Sequence, residues 1–134
     1  MAKPRSRQAE RRASPSRLLG FVHTKLFLGR WTDLGLDDDD LRALESQILA
    51  RPEGGAVVPD TGGLRKARFA SPRSNQGKRG SERVCYAVFP NPGLVVLVLA
   101  YGKNEKDDLD PSEKKMIKAM LDAYQSQLNK GPGK

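Results

Sequence analysis

The chain has 134 residues and a mass of 14.8 kDa, one domain's worth of protein and too little for a multidomain enzyme. Its 24 Lys and Arg outweigh 16 Asp and Glu, a formal net charge of +8 that favours a polyanionic partner, either nucleic acid or an acidic protein segment. One cysteine, Cys85, excludes an intrachain disulfide framework and fits a reducing cytoplasm, and a single histidine disfavours a zinc site built by the protein.

Residues 1–17 carry Lys3, Arg5, Arg7, Arg11, Arg12 and Arg17 against Glu10, broken by Pro4 and Pro15. Such a segment cannot repay the entropy of ordering, so it is expected to be a disordered basic extension. Its apolar residues lack the periodicity of a mitochondrial presequence and the apolar stretch of a secretory signal. Residues 18–128 are expected to form the folded domain and 129–134 a flexible tail.

Regular structure should begin with a strand at Phe21, running through the β-branched and aromatic stretch to Leu28. A short helix around Lys25 to Leu34 is expected to follow. His23, the only histidine, reads as a strand residue with a satisfied hydrogen bond rather than as a catalytic group. Asp37 to Ala50 predicts a helix: Asp37 caps it, Asp38 to Asp40 complement the dipole, and Leu41, Leu44, Ile48 and Leu49 share a face. Consecutive aspartates point in different directions at a helix start, so capping is favoured over a divalent-metal site.

Residues 54–63 read as a glycine-rich loop without the spacing or lysine of a Walker phosphate cradle. Strands follow at Leu64 to Ala70, Arg83 to Phe89 and Leu94 to Tyr101, with a polar turn at 71–80 and a hairpin turn at Asn91-Pro92-Gly93. The last strand is apolar almost throughout, which suits a central position covered on both faces. Its seven-residue apolar run, Leu94 to Ala100, is far short of the ~20 needed to span a membrane. A C-terminal helix starts at Asp110, with Pro111 at the first helical position and Glu113 completing a capping box. Met116, Ile117, Met120, Leu121, Tyr124 and Leu128 form its apolar face.

The charge is segregated. Arg65, Lys66, Arg68, Arg73, Lys78, Arg79 and Arg83 are opposed only by Glu82, whereas Asp33 to Glu53 holds seven carboxylates against Arg42 and Arg51. Several of the cations sit in strands. If the two strands pair as a hairpin, Arg65 and Arg83 approach each other and call for an anion between them, such as a phosphate held by guanidinium forks. Tyr101 beside such a cleft either stacks on a base or closes the core; its position alone does not choose.

The runs Thr61-Gly62-Gly63-Leu64-Arg65-Lys66-Ala67-Arg68, Gly77-Lys78-Arg79-Gly80, Arg83-Val84-Cys85-Tyr86 and Ala100-Tyr101-Gly102-Lys103-Asn104-Glu105, in this order, resemble the RelE/ParE superfamily of toxins from bacterial type II toxin–antitoxin modules, specifically the HigB-type branch. The resemblance covers about residues 20 to 126. Asp60 before the Thr-Gly-Gly, Ser81 in place of a second glycine and the basic arm depart from the pattern without touching a charged motif position.

The resemblance implies an α+β fold, with N-terminal helices and a C-terminal helix packed on a small, twisted, mostly antiparallel sheet. It implies a cytoplasmic, ribosome-dependent mRNA endonuclease that inhibits translation, with no cofactor and no metal. Its partners would be a cognate antitoxin, the ribosome and mRNA, with operator DNA contacted only through the antitoxin complex and no membrane association. In such a reaction the ribose 2′-hydroxyl attacks the adjacent phosphorus, and the protein aligns the attack, stabilises the charged intermediate and moves protons. Arg65 and Arg83 are then expected as phosphate clamps, with Lys66, Lys78 and Tyr101 completing the catalytic set. Arg68, Arg73, Arg79, Lys103 and Asn104 would hold substrate. Lys66, Lys78 and Lys103 are unranked candidates for the general base. The competing readings are a toxin of the same fold that acts on DNA gyrase, a noncatalytic nucleic-acid-binding module, and a degenerate toxin that only pairs with its antitoxin.

Overall fold

The computed structural model describes residues 20–72, 82–91, 93–103, 105 and 108–130. The expected extension at 1–17 and the end of the tail lie outside the described residues. The element order is β1 (Gly20–His23), α1 (Lys25–Asp33), α2 (Asp38–Ala50), β2 (Ala56–Val57), β3 (Arg65–Phe69), β4 (Glu82–Phe89), β5 (Leu94–Gly102) and α3 (Pro111–Lys130).

The first strand stops at His23, five residues before the expected limit. Thr24 is the reason: its hydroxyl accepts from Phe27 N–H at 3.0 Å and donates to the Val98 carbonyl at 3.1 Å, capping α1 and pinning it to the sheet. Phe27 and Trp31 then fall one turn apart on the buried face of α1. His23 Nε2 lies 2.7 Å from Glu45 Oε2 of α2, a partnered strand residue as expected.

Helix α2 opens with a capping box in which Asp37 Oδ1 accepts from Asp40 N–H and Asp40 Oδ2 from Asp37 N–H, both at 2.9 Å. The other oxygen of the buried Asp40 accepts from Ser71 Oγ at 2.5 Å. Two of the four aspartates are thus committed to the helix start itself. Helix α3 has the same device: Asp110 Oδ1 accepts from Glu113 N–H at 2.8 Å, and Glu113 Oε1 from Asp110 N–H at 2.9 Å.

The five strands form one sheet in the order β1-β5-β4-β3-β2. β1 runs parallel to β5 and the other neighbours are antiparallel, so the sheet is mostly antiparallel as expected. Two layers of helix cover it. On one face Phe27, Trp31, Leu44 and Ile48 of α1 and α2 pack on Phe69, Val84, Tyr86, Val95, Leu97 and Ala100. On the other, Ile117 and Leu121 of α3 and Leu109 pack on Cys85, Ala87, Phe89, Val96, Val98, Leu99 and Tyr101. β5 contributes to both, which explains its unbroken apolar sequence. The register slips at Cys85/Tyr86, where Cys85 faces Leu99 and Tyr86 faces Leu97. The intervening Val98 joins Leu99 on the α3 face.

The glycine-rich segment contains the short strand β2, paired through Ala56↔Lys66 and Val57↔Arg65, where a loop alone was expected. Beyond it the buried Thr61 accepts from Leu64 N–H at 3.1 Å and donates to the Val58 carbonyl at 2.7 Å, closing a tight turn. Gly62 and Gly63 there have φ of 78° and 109°, conformations that a side chain would strain. None of the described helices is long and apolar enough to cross a membrane.

Candidate nucleic-acid interface

The pairing of β3 with β4 decides which cations meet. Arg68 lies directly opposite Arg83, Lys66 opposite Cys85, and Arg65 opposite Tyr86. Side chains alternate along a strand, and directly paired residues share a face. Cys85 belongs to the core under α3, so Lys66, Arg68 and Arg83 project on the α3 side. Arg83 also pairs with Tyr101 on β5, giving a row Arg68–Arg83–Tyr101 across three strands. Arg68 is exposed, whereas Lys66 and Arg83 are half-buried.

Arg65 belongs to the other face, with Tyr86 and Phe69, whose rings lie in the core under α1 and α2. Its guanidinium turns to the main chain before β2, donating to the Gly55 carbonyl at 2.7 Å and the Glu53 carbonyl at 3.3 Å. The expected convergence of Arg65 and Arg83 on one phosphate is therefore corrected. The strands do form the hairpin, but its register puts Arg68, three residues further along β3, opposite Arg83.

Tyr101 is 1 % exposed, sealed within the core under α3. Base stacking needs an open ring face, so this conformation gives Tyr101 the core-closing role of the two considered. Burial pushes its phenol ionisation well above the usual value; Cys85 and Asp108 add to the shift and Arg83 opposes it.

Asp108 completes the basic face and was not singled out from the sequence. Its Oδ1 lies 3.5 Å from Lys66 Nζ, and its Oδ2 lies 3.9 Å from Lys114 Nζ in the opening turns of α3. Asp108 Oδ1 also accepts from the Leu109 N–H at 2.8 Å. That backbone bond, then the two lysines, hold its carboxyl below the ordinary aspartate range against a modest opposing cost of burial. A signal for this cluster was present in the chain: Lys114 and Lys115 follow the capping box of α3, where the positive end of the helix dipole disfavours cations.

The last resemblance motif serves the end of β5. Glu105 Oε1 accepts from Gly102 N–H at 2.7 Å, and both carboxylate oxygens meet the Arg30 guanidinium. Arg30 also reaches the Ala100 carbonyl at 3.3 Å through Nε and Asp33 at 3.3 Å through Nη1. Lys103 is exposed on the same turn. Arg73, Lys78, Arg79 and Asn104 lie outside the described residues.

A separate cleft of about 450 Å³ opens between α2 and β3, lined by Gln47, Ile48, Arg51, Gly54, Gly55, Ala67 and Tyr86, with Lys66 and Arg68 of β3 also on its wall. Tyr86 closes its floor, its hydroxyl accepting from Gly55 N–H at 3.1 Å and donating to the Pro52 carbonyl at 3.0 Å.

No family model matches the chain. Among solved structures, it is similar to a double arginine-to-alanine mutant of the E. coli toxin RelE in the free state. The identity is 13 %, the match covers 65 % of this chain and 85 % of that one, and the TM-score is 0.43.

Proposed function

We propose that this protein is a RelE-type toxin of the HigB-type branch, an mRNA endonuclease that acts on the translating ribosome. The observation that carries the reading is the facing pair Arg68 and Arg83, with Lys66 on the same side of the sheet. Cations from two adjacent strands on one face present guanidinium forks that suit a phosphodiester. The four ordered motifs described above add the specificity that a basic patch alone lacks.

In this reading Arg83 and Arg68 clamp the scissile phosphate and stabilise the charge that builds on phosphorus when the 2′-hydroxyl attacks. Each such contact is worth on the order of 10²–10³ in rate when it acts on the transition state. Lys66 holds the adjacent backbone. Arg73, Lys78, Arg79, Lys103 and Asn104 are assigned to the substrate strand, and Lys66, Lys78 and Lys103 are the three candidates for accepting the 2′-proton. The product pair is a cyclic phosphate and a free 5′-hydroxyl, reached without a metal. A cognate antitoxin covers the basic face in the resting cell.

Inducible expression, with and without the adjacent open reading frame, followed by mapping of transcript 5′ ends tests the reading. New ends phased with codons, lost when the adjacent frame is co-expressed, are the expected result. Growth arrest without new ends would remove the nuclease and leave a toxin that acts on another target.

A further inference from the structure

Lys66 comes from the middle of the sheet and Lys114 from α3, yet both ammonium groups address one carboxylate, each through a different oxygen. We infer that Lys66 and Lys114 form a subsite for a backbone phosphate of single-stranded RNA, and that Asp108 occupies it as a built-in counter-ion until substrate displaces it. The inference deepens the proposed function and rests on that polyanion reading.

A phosphodiester presents the same two-oxygen anionic face as a carboxylate, so it can satisfy both lysines in Asp108's place. The carboxylate can yield. It is about half exposed, at 51 %, and its Oδ1 is shared between the Leu109 N–H at 2.8 Å and Lys66 at 3.5 Å, while Oδ2 meets Lys114 only at 3.9 Å. The lysines are less free to leave, with side chains only 26 % and 21 % exposed. The subsite also continues the row of Arg68 and Arg83, because Lys66 lies two residues from Arg68 on the same face of β3. A strand of RNA running along the α3 face of β3 would therefore place successive phosphates on the arginine pair and on the lysine pair. In the free protein Asp108 offsets the charge of the two lysines, at the cost of some affinity for RNA.

The test is binding of a short fluorescein-labelled single-stranded RNA, read by anisotropy at several salt concentrations. Asp108→Asn keeps an oxygen for Leu109 N–H while removing the charge. It should tighten binding about three- to tenfold, and more than Asp122→Asn, which removes the same charge from the exposed Lys118 pair on α3. Lys66→Ala and Lys114→Ala should each weaken binding and lower the salt slope by roughly 0.7. In the Lys66→Ala/Lys114→Ala background, Asp108→Asn should give no gain. Circular dichroism of each variant confirms folding. Equal effects of Asp108→Asn and Asp122→Asn, or a gain that persists without the lysines, would overturn the subsite. If transcripts are still cut in cells in that case, the nuclease reading stands alone. Lysine-dependent binding without cleavage would instead keep the subsite and remove the nuclease.

Discussion

Arg68 on β3 and Arg83 on β4 are directly opposed on one face of the sheet, set there by backbone pairing, and Arg83 Nη1 lies 3.5 Å from the Glu82 carbonyl. An opposed like-charge pair costs roughly 0.2–1 kcal/mol relative to a neutral pair. Replacing Arg68 should therefore leave the folded state as stable as before or slightly more so, whereas replacing Arg83 also removes its bond to the Glu82 carbonyl and should cost up to about 1 kcal/mol; either change damages function. Arg83→Ala is expected to lower codon-phased cleavage on the order of 10²–10³-fold, far beyond what its small loss of stability explains, and Arg68→Ala about tenfold with a melting temperature unchanged or raised. Thermal melts alongside 5′-end mapping check both halves. Full cleavage by Arg83→Ala would detach this pair from the chemistry.

Tyr101 provides the opposite combination. Its ring is sealed in the core beside Leu99 and Ile117, so Tyr101→Ala should cost about 3–5 kcal/mol and lose activity only through unfolding. Tyr101→Phe keeps the ring and should keep cleavage. The phenol also makes stability depend on pH. Its folded ionisation is raised by burial, so its contribution is fully present below the unfolded value of about 10 and is lost as pH rises towards the higher folded value. Tyr86 is raised in the same direction, chiefly by burial. Melting temperature should fall above about pH 10, less steeply in Tyr101→Phe than in wild type. A reduced cleavage rate in a fully folded Tyr101→Phe would give the hydroxyl a part in catalysis.

The helix ends and the central strand could be read directly from residues because their causes are local. Asp37 with Asp40 and Asp110 with Glu113 are capping devices that close within one turn, and the apolar run of β5 records burial on two sides. The end of β1 was local too, but Thr24 is a cap that resembles a strand residue, and only its bond to Phe27 N–H separates the two uses. Strand β2 is two residues long and held by β3, so its own sequence carries almost no signal. The cation pairing was not legible. Arg65 and Arg68 differ by an odd number of positions, so one of them must face away from Arg83, and the β3/β4 register decides which. Lys66 meets Asp108 and Lys114 only because α3 docks across the sheet, a long-range relation that no spacing in the chain encodes.

Arg65 should behave as a structural residue. Its bonds to the Gly55 and Glu53 carbonyls tie β3 to the chain entering β2, on the face away from Arg83. Arg65→Ala is expected to cost about 1–2 kcal/mol and to reduce cleavage only in proportion to folded protein. Gly55→Ala tests the same joint more severely. A methyl group there would come within 2.9 Å of the Lys66 carbonyl and 3.0 Å of the Tyr86 hydroxyl, so the joint must open by roughly 1–3 kcal/mol. Urea titration of both variants, with specific cleavage normalised to folded protein, separates this role from a catalytic one. A folded Arg65→Ala protein with little cleavage would return Arg65 to the active set.

Glu105 and Arg30 set the end of β5, and through it the strand that carries Tyr101. Glu105 receives the Gly102 N–H while its carboxylate meets Arg30, which in turn holds the Ala100 carbonyl. Half-exposed ion pairs contribute little alone, but this one is coupled to two backbone bonds across the same strand end. Glu105→Gln retains an oxygen for Gly102 N–H and should cost about 0.5–1 kcal/mol. Glu105→Ala also strands that N–H and should cost about 1–2 kcal/mol. Because the pair acts as a unit, the double variant Arg30→Gln/Glu105→Gln should be no less stable than the sum of the single variants implies, with a coupling of roughly 0.5–1 kcal/mol. Cleavage should survive in Glu105→Gln. Glu105 would have to be reassigned from the strand end to the substrate if Glu105→Gln kept its melting temperature yet lost cleavage.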